Sequence, residues 1–124
     1  MKIILTDKAP RPGGPYSQAI VEGGFVFASG QVPVKPGGGK YEPMDIGAET
    51  RQVLENLKAV LEAAGSSLDK VVKVTVFLRD IKDFAAMNEA YAAAFKGHAP
   101  ARSTVQAGAL PLGCAVEIDC IARA

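Results

Sequence analysis

Between Asp45 and Leu78 the hydrophobic period of the chain changes from that of a helix to that of a strand, and this change constrains the fold more than any other feature. Val53, Leu54, Leu57, Val60, Leu61 and Ala64 recur at helical spacing. Asp45 stands where an N-cap belongs and Gly65 where a left-handed stop belongs. Residues 71–78 then alternate strictly, with Val72, Val74, Val76 and Leu78 on one side and Lys73, Thr75, Phe77 and Arg79 on the other. A second helical stretch follows, capped by Asp83 and stopped at Gly97, with Phe84, Met87, Tyr91 and Phe95 as its buried stripe. Further strands are expected over residues 3–6, 24–29, 102–107 and 115–122.

Strands, helix, strand, helix and two closing strands predict an α+β domain with both helices on one face of a mixed sheet. A chain of 124 residues forms one such domain without staples. The opposite face of the sheet is expected to be partly apolar, because Phe25 and Phe27 alternate with Val26 and Ala28. An apolar sheet face left open predicts a homo-oligomer.

Several function classes are excluded. Fourteen basic and 13 acidic side chains leave a net charge of +1, which gives no electrostatic footprint for nucleic acid or an anionic membrane. The turn at Pro36-Gly37-Gly38-Gly39 runs into Lys40 like a phosphate loop, but Val34 replaces the first glycine and Tyr41 the magnesium-binding hydroxyl. Cys114 and Cys120 lack ligand spacing, and His98 is the only histidine, so no metal site is expected. Cys120 alternates with Val116 and Ile118 and reads as a small buried hydrophobe, and His98 as a solvated loop residue. No dinucleotide fingerprint or nucleophile elbow appears, so no cofactor is expected. The N-terminus lacks signal-peptide character and no apolar run is of membrane-spanning length, which makes the cytoplasm the expected compartment.

What remains is an arginine, a glutamate, a tyrosine and small polar groups. Arg102 shares a strand face with Thr104 and Gln106, and Glu117 shares the next strand's face with Asp119 and Arg123. A guanidinium can grip a small carboxylate through two parallel hydrogen bonds, and a glutamate can hold and polarise water. Each has an ordinary reading as well. Arg102 suits a surface ion pair, Glu117 a solvated strand face and Tyr16 a loop anchor. Asn88 lies toward the apolar stripe of the second helix, where a hydrogen bond to backbone is its first explanation.

Taken together the segments are specific. Gly14-Pro15-Tyr16-Ser17-Gln18-Ala19, Phe27-Ala28-Ser29-Gly30-Gln31-Val32-Pro33, residues 50–59, 72–78 and 84–91, Pro100-Ala101-Arg102-Ser103 and Val116-Glu117-Ile118 occur in one order and spacing. In this ensemble, which spans nearly the whole chain, the sequence resembles the reactive-intermediate deaminase A family (RidA, also called YjgF). The resemblance implies a chorismate-mutase-like fold of about six strands and two helices. It also implies a homotrimer with sites between subunits, and cofactor-free hydrolysis of enamines and imines such as 2-aminoacrylate and 2-iminopropanoate to a keto acid and ammonia. Carried over by position, Arg102 binds the substrate carboxylate and Glu117 positions the attacking water. Tyr16, Ser29 and Gly30 line the pocket, and Phe84, Asn88 and Thr104 contribute near it.

Two departures stand out. Many members of that family carry cysteine where this chain has Thr104, so any role needing a thiol is absent, whereas attack by water needs none. Residues 107–109 are also less bulky and less basic than usual. Two further readings accompany the deaminase: a non-catalytic binder of small carboxylates, and a single-strand endoribonuclease, against which the near-neutral charge and lone histidine argue.

Overall fold

The computed structural model describes residues 1–124. Six strands form one mixed sheet: β1 (Lys2–Ile4), β2 (Ala19–Glu22), β3 (Phe25–Gln31), β4 (Val71–Leu78), β5 (Ala101–Gln106) and β6 (Val116–Arg123). Helices α1 (Ile46–Ala63) and α2 (Phe84–Phe95) complete the domain. The sheet order is β1-β2-β3-β6-β4-β5. All pairings are antiparallel except β4 with β5, which the crossover through α2 makes parallel. The last strand therefore lies inside the sheet, between β3 and β4, and β5 is left as an edge.

The helices form where the periodicity places them. Asp45 accepts a hydrogen bond from the Ala48 amide at 2.9 Å, and Gly65 beyond the C-terminus has φ of +80°, a conformation a side chain would strain. Val53, Leu54, Leu57, Val60 and Leu61 of α1 pack with Met87, Tyr91 and Phe95 of α2 onto Val74, Val76, Leu78, Val116, Ile118 and Cys120.

Five local expectations need correction. Strand β2 was not expected; its four residues are too few to show alternation, and pairing on both sides supplies its strand character. A bulge at residues 71–73 turns Val71 into the core and leaves Val72 exposed. Asp83 precedes α2 but makes no side-chain capping bond; Asp80 accepts from the Lys82 amide in the 3-10 turn just before it. Phe84, placed on the buried stripe, is 41% exposed at the first position of α2, where its ring faces Arg102 of β5 instead of the core cluster. His98 is half-buried, its Nε2 2.7 Å from the Val71 carbonyl.

The face away from the helices carries a row of apolar residues in register across four strands, Ile3, Ile20, Phe27 and Ile121. Ile3 and Phe27 are exposed, and Phe25 stands beside Phe27 with ring centroids 6.5 Å apart. No helix is long and apolar enough to cross a membrane.

Candidate active site

The expected site residues fall into two groups on opposite faces of the sheet. Glu117 pairs with Phe77 of β4, on the open face, between the core-facing Val116 and Ile118. Arg102 pairs with Val74 and Thr104 with Val76, both fully buried under the helices. Arg102 and Glu117, on consecutive strands of the chain, are thus separated by β4 and by the thickness of the sheet. The glutamate and the arginine do not meet within a single chain, because register through β4 aligns Arg102 with the core-facing Val74 and Cys120 and Glu117 with Phe77 on the other face.

The Glu117 group lines a cleft of about 770 Å³ with Tyr16, Ser29, Gly30, Leu112 and Arg11. Its wall is built by hydrogen bonds. Gln18, buried in the core, accepts from the Thr6 amide and donates to the Thr6 and Pro10 carbonyls, which ties down the loop leading to Tyr16. The Ser29 hydroxyl donates to the Ser17 carbonyl at 2.7 Å, and its amide donates to Gln18. Ser29 therefore fixes the loop and presents only lone pairs to a ligand. The Tyr16 ring projects into solvent at 53% exposure, its hydroxyl accepting from the Gly13 amide.

Gly30 sits where β3 breaks register with β6, directly against the Glu117 side chain. A Cβ added there would stand 2.9 Å from Glu117 Cδ and 3.1 Å from Cγ. Glycine at this position is what gives the carboxylate its room. Partial burial, and secondarily the charge of Asp119 on the same face, raise the pKa of Glu117 above its ordinary value. Such a carboxyl holds a proton more readily than a solvated one, as an acid–base group must.

The Arg102 group lies between β5 and α2. The guanidinium carbon is 4.7 Å from the Tyr91 ring centroid and 5.6 Å from that of Phe84. The chain's two ion pairs, Met1 with Glu22 and Arg11 with Asp7, leave Arg102 without an acidic partner. Asn88 Oδ1, Tyr91 Oη and Thr104 Oγ1 are the buried side-chain polar atoms with no hydrogen-bond partner, and all three belong to this α2–β5 groove. The backbone hydrogen bond expected of Asn88 Oδ1 is not made. Buried polar groups are ordinarily satisfied, so three such atoms on the two elements that flank one unpaired cation stand out.

Two residues that position these groups escaped the sequence reading. Tyr91 was placed only on the core stripe, although its spacing from Phe84 puts both on one helix face. Glu49 is buried at 1% exposure and accepts from Tyr41 Oη, the Met44 amide and the Ala115 amide. Those bonds join the first turn of α1 to the start of β6. A glutamate in the first turn of a helix reads as a dipole partner, and nothing local tells that it is buried. Burial, with the Glu49 hydrogen bond and charge, pushes the Tyr41 pKa up to about 12. No group of three or more His, Cys, Asp or Glu side chains comes together to hold a metal ion.

Fold and site define a small α+β domain with a half-buried carboxylate of raised pKa on one sheet face and an arginine without an acidic partner on the other. The family model described as Endoribonuclease L-PSP matches residues 6–124. The chain is 53% identical to a RutC family protein of Pyrococcus horikoshii, over 98% of this chain and 96% of that one. It is 44% identical to the 2-iminobutanoate/2-iminopropanoate deaminase of Rattus norvegicus, over 98% and 88% of the two chains. The crystal structure of RidA from a Psychrobacter species superposes with a TM-score of 0.95 at 44% identity, covering all of both chains. That of Escherichia coli TdcF with bound serine gives 0.94 at 44% identity, over 100% and 99%. The chain belongs to the Endoribonuclease L-PSP family, the YjgF/RidA family.

Proposed function

We propose that this protein hydrolyses reactive 2-imino and 2-enamino acids of the 2-iminopropanoate and 2-iminobutanoate type to 2-keto acids and ammonia, without a cofactor. The observation that carries this reading is the state of Arg102: a guanidinium with no acidic partner, set over two aromatic rings, on a strand and beside a helix that carry unsatisfied buried polar atoms. A planar fork so prepared suits a small carboxylate.

The reacting form is the protonated iminium, which an enamine reaches by taking a proton at C3. Water held by Glu117 adds to its carbon as the carboxylate takes the water's proton, giving a 2-amino-2-hydroxy acid. Transfer of that proton to nitrogen and cleavage of the C–N bond release ammonia, and the hydroxyl closes to the ketone as its proton is lost. The imine carbon is already electrophilic, so positioning supplies most of what the enzyme must add. Because the two groups occupy opposite sheet faces, the complete site forms where the Arg102 groove of one copy meets the Glu117 cleft of its neighbour. A homotrimer with sites in the clefts between subunits meets this requirement and covers the apolar sheet face.

The test generates 2-aminoacrylate in place with a serine dehydratase and follows imine decay with and without the protein. Decay accelerated by the wild type and not by Arg102→Ala supports the deaminase. The serine bound to the TdcF relative favours a second reading, a non-catalytic sensor of small amino or keto acids. Calorimetric keto-acid binding without accelerated decay would establish that reading instead.

A further inference from the structure

Arg102 lies against aromatic faces rather than beside a carboxylate, and the nearer of them, Tyr91, also carries a buried hydroxyl. A carboxylate partner within the chain would orient the arginine and also consume the donors that a ligand needs. An aromatic face orients the guanidinium plane and leaves its in-plane N–H donors free. The Tyr91 ring, at 4.7 Å, is the nearer of the two faces, and Phe84 at 5.6 Å is the more exposed. Tyr91 is itself pinned: it is 8% exposed and packs against Phe95 with ring centroids 4.6 Å apart and planes tilted by 34°. Burial raises the pKa of its hydroxyl, while the charge and the hydrogen-bonding approach of the Arg102 guanidinium pull it down, although no hydrogen bond of full geometry forms.

Resting on the function proposed above, we infer that Tyr91 is the positioning residue for carboxylate recognition. Its ring sets the plane of the Arg102 guanidinium, with Phe95 behind it as a rigid support. The consequence is a split between binding and chemistry. Loss of the ring frees the arginine to sample other rotamers, which weakens substrate and product alike and leaves the Glu117 step untouched.

Binding of 2-oxobutanoate, a stable keto acid, is measured by calorimetry beside KM and kcat for imine decay in wild type, Tyr91→Phe, Tyr91→Leu and Arg102→Ala. Tyr91→Leu is expected to raise both Kd and KM by about 10-fold, with kcat within about 2-fold of wild type. Tyr91→Phe, which keeps the ring, is expected to restore Kd to within about 3-fold of wild type. The Arg102 guanidinium 15N–1H resonance of the wild type, assigned by its loss in Arg102→Ala, supplies a readout that needs no folded Leu variant. A ring-current-shifted signal supports the stack, and a signal at the position of a free arginine overturns it. A folded Tyr91→Leu protein with wild-type Kd and KM would also overturn the inference, with Arg102→Ala still inactive as the sign that the deaminase reading stands. A wild type that neither turns over nor binds would defeat the deaminase reading itself, and the Arg102 signal would still decide the role of Tyr91.

Discussion

Arg102 and Glu117 project from opposite faces of one sheet, Arg102 in register with the buried Val74 and Glu117 with Phe77. Two chains, each lacking one of these residues, can then complement one another. Arg102→Ala and Glu117→Gln chains, each inactive alone, are unfolded and refolded together at equal concentration. Random assembly places an intact Arg102 opposite an intact Glu117 at about a quarter of the interfaces, so about a quarter of the wild-type rate should return. Mixed chains that stay inactive would mean that each subunit works alone.

Gly30 tests the same carboxylate from below. Its φ is not positive, so alanine strains no backbone, and the atoms nearest the added Cβ all belong to the Glu117 side chain. Gly30→Ala should therefore cost about 1 kcal/mol of stability or less. Displacing the carboxylate should lower kcat by about 10²-fold. Thermal melting and imine-decay kinetics on one preparation separate the two effects.

Asp119 should set part of the pH profile. In the proposed hydrolysis water activation needs ionised Glu117, whose pKa is raised first by burial and second by the Asp119 charge. Asp119→Asn removes only the second, so the acid limb of kcat/KM should move to lower pH and remain above that of an ordinary carboxylate. Asp119 is itself raised by burial, with Thr75 and Lys73 pulling the other way. A carboxyl whose folded pKa lies above its unfolded one binds more protons in the folded state. Stability therefore falls as pH rises from the ordinary carboxylate value through the raised one, and Asp119→Asn should flatten that fall. Urea titrations across the acid range measure it.

Phe27 lies in the apolar row that crosses the open face and is 45% exposed in the single chain. Phe27→Glu would place a charge in the centre of the proposed subunit contact at a cost of several kcal/mol. Sedimentation should show a smaller species, and imine decay should fall with it. A wild-type assembly in this variant would locate the contact elsewhere.

Glu49 is the structural counterpart. Glu49→Ala would leave the Met44 and Ala115 amides and the Tyr41 hydroxyl without their acceptor. The expected loss is about 3–5 kcal/mol in urea unfolding. The Tyr41 pKa, held up to about 12 in part by Glu49, should fall in a phenolate absorbance titration of the still-folded protein.

The sequence by itself determined the elements that long-period patterning writes plainly: α1 between Asp45 and Gly65, α2, the core of β4, and the alternation that buries Cys120. It also carried the spaced motifs that name the family and single out Arg102, Glu117, Tyr16, Ser29 and Gly30. Only the tertiary structure decided how these residues are divided. Insertion of β6 between β3 and β4 places Glu117 against Gly30, and the parallel pairing of β5 turns Arg102 under α2, onto Tyr91. Alternation tells which residues share a face of one strand, but the relation between strands depends on register. Register is set by long-range pairing, by the bulge at residues 71–73 and by what each face must bury. The same holds for Glu49, whose acceptors meet their donors only after α1 has packed beside the start of β6.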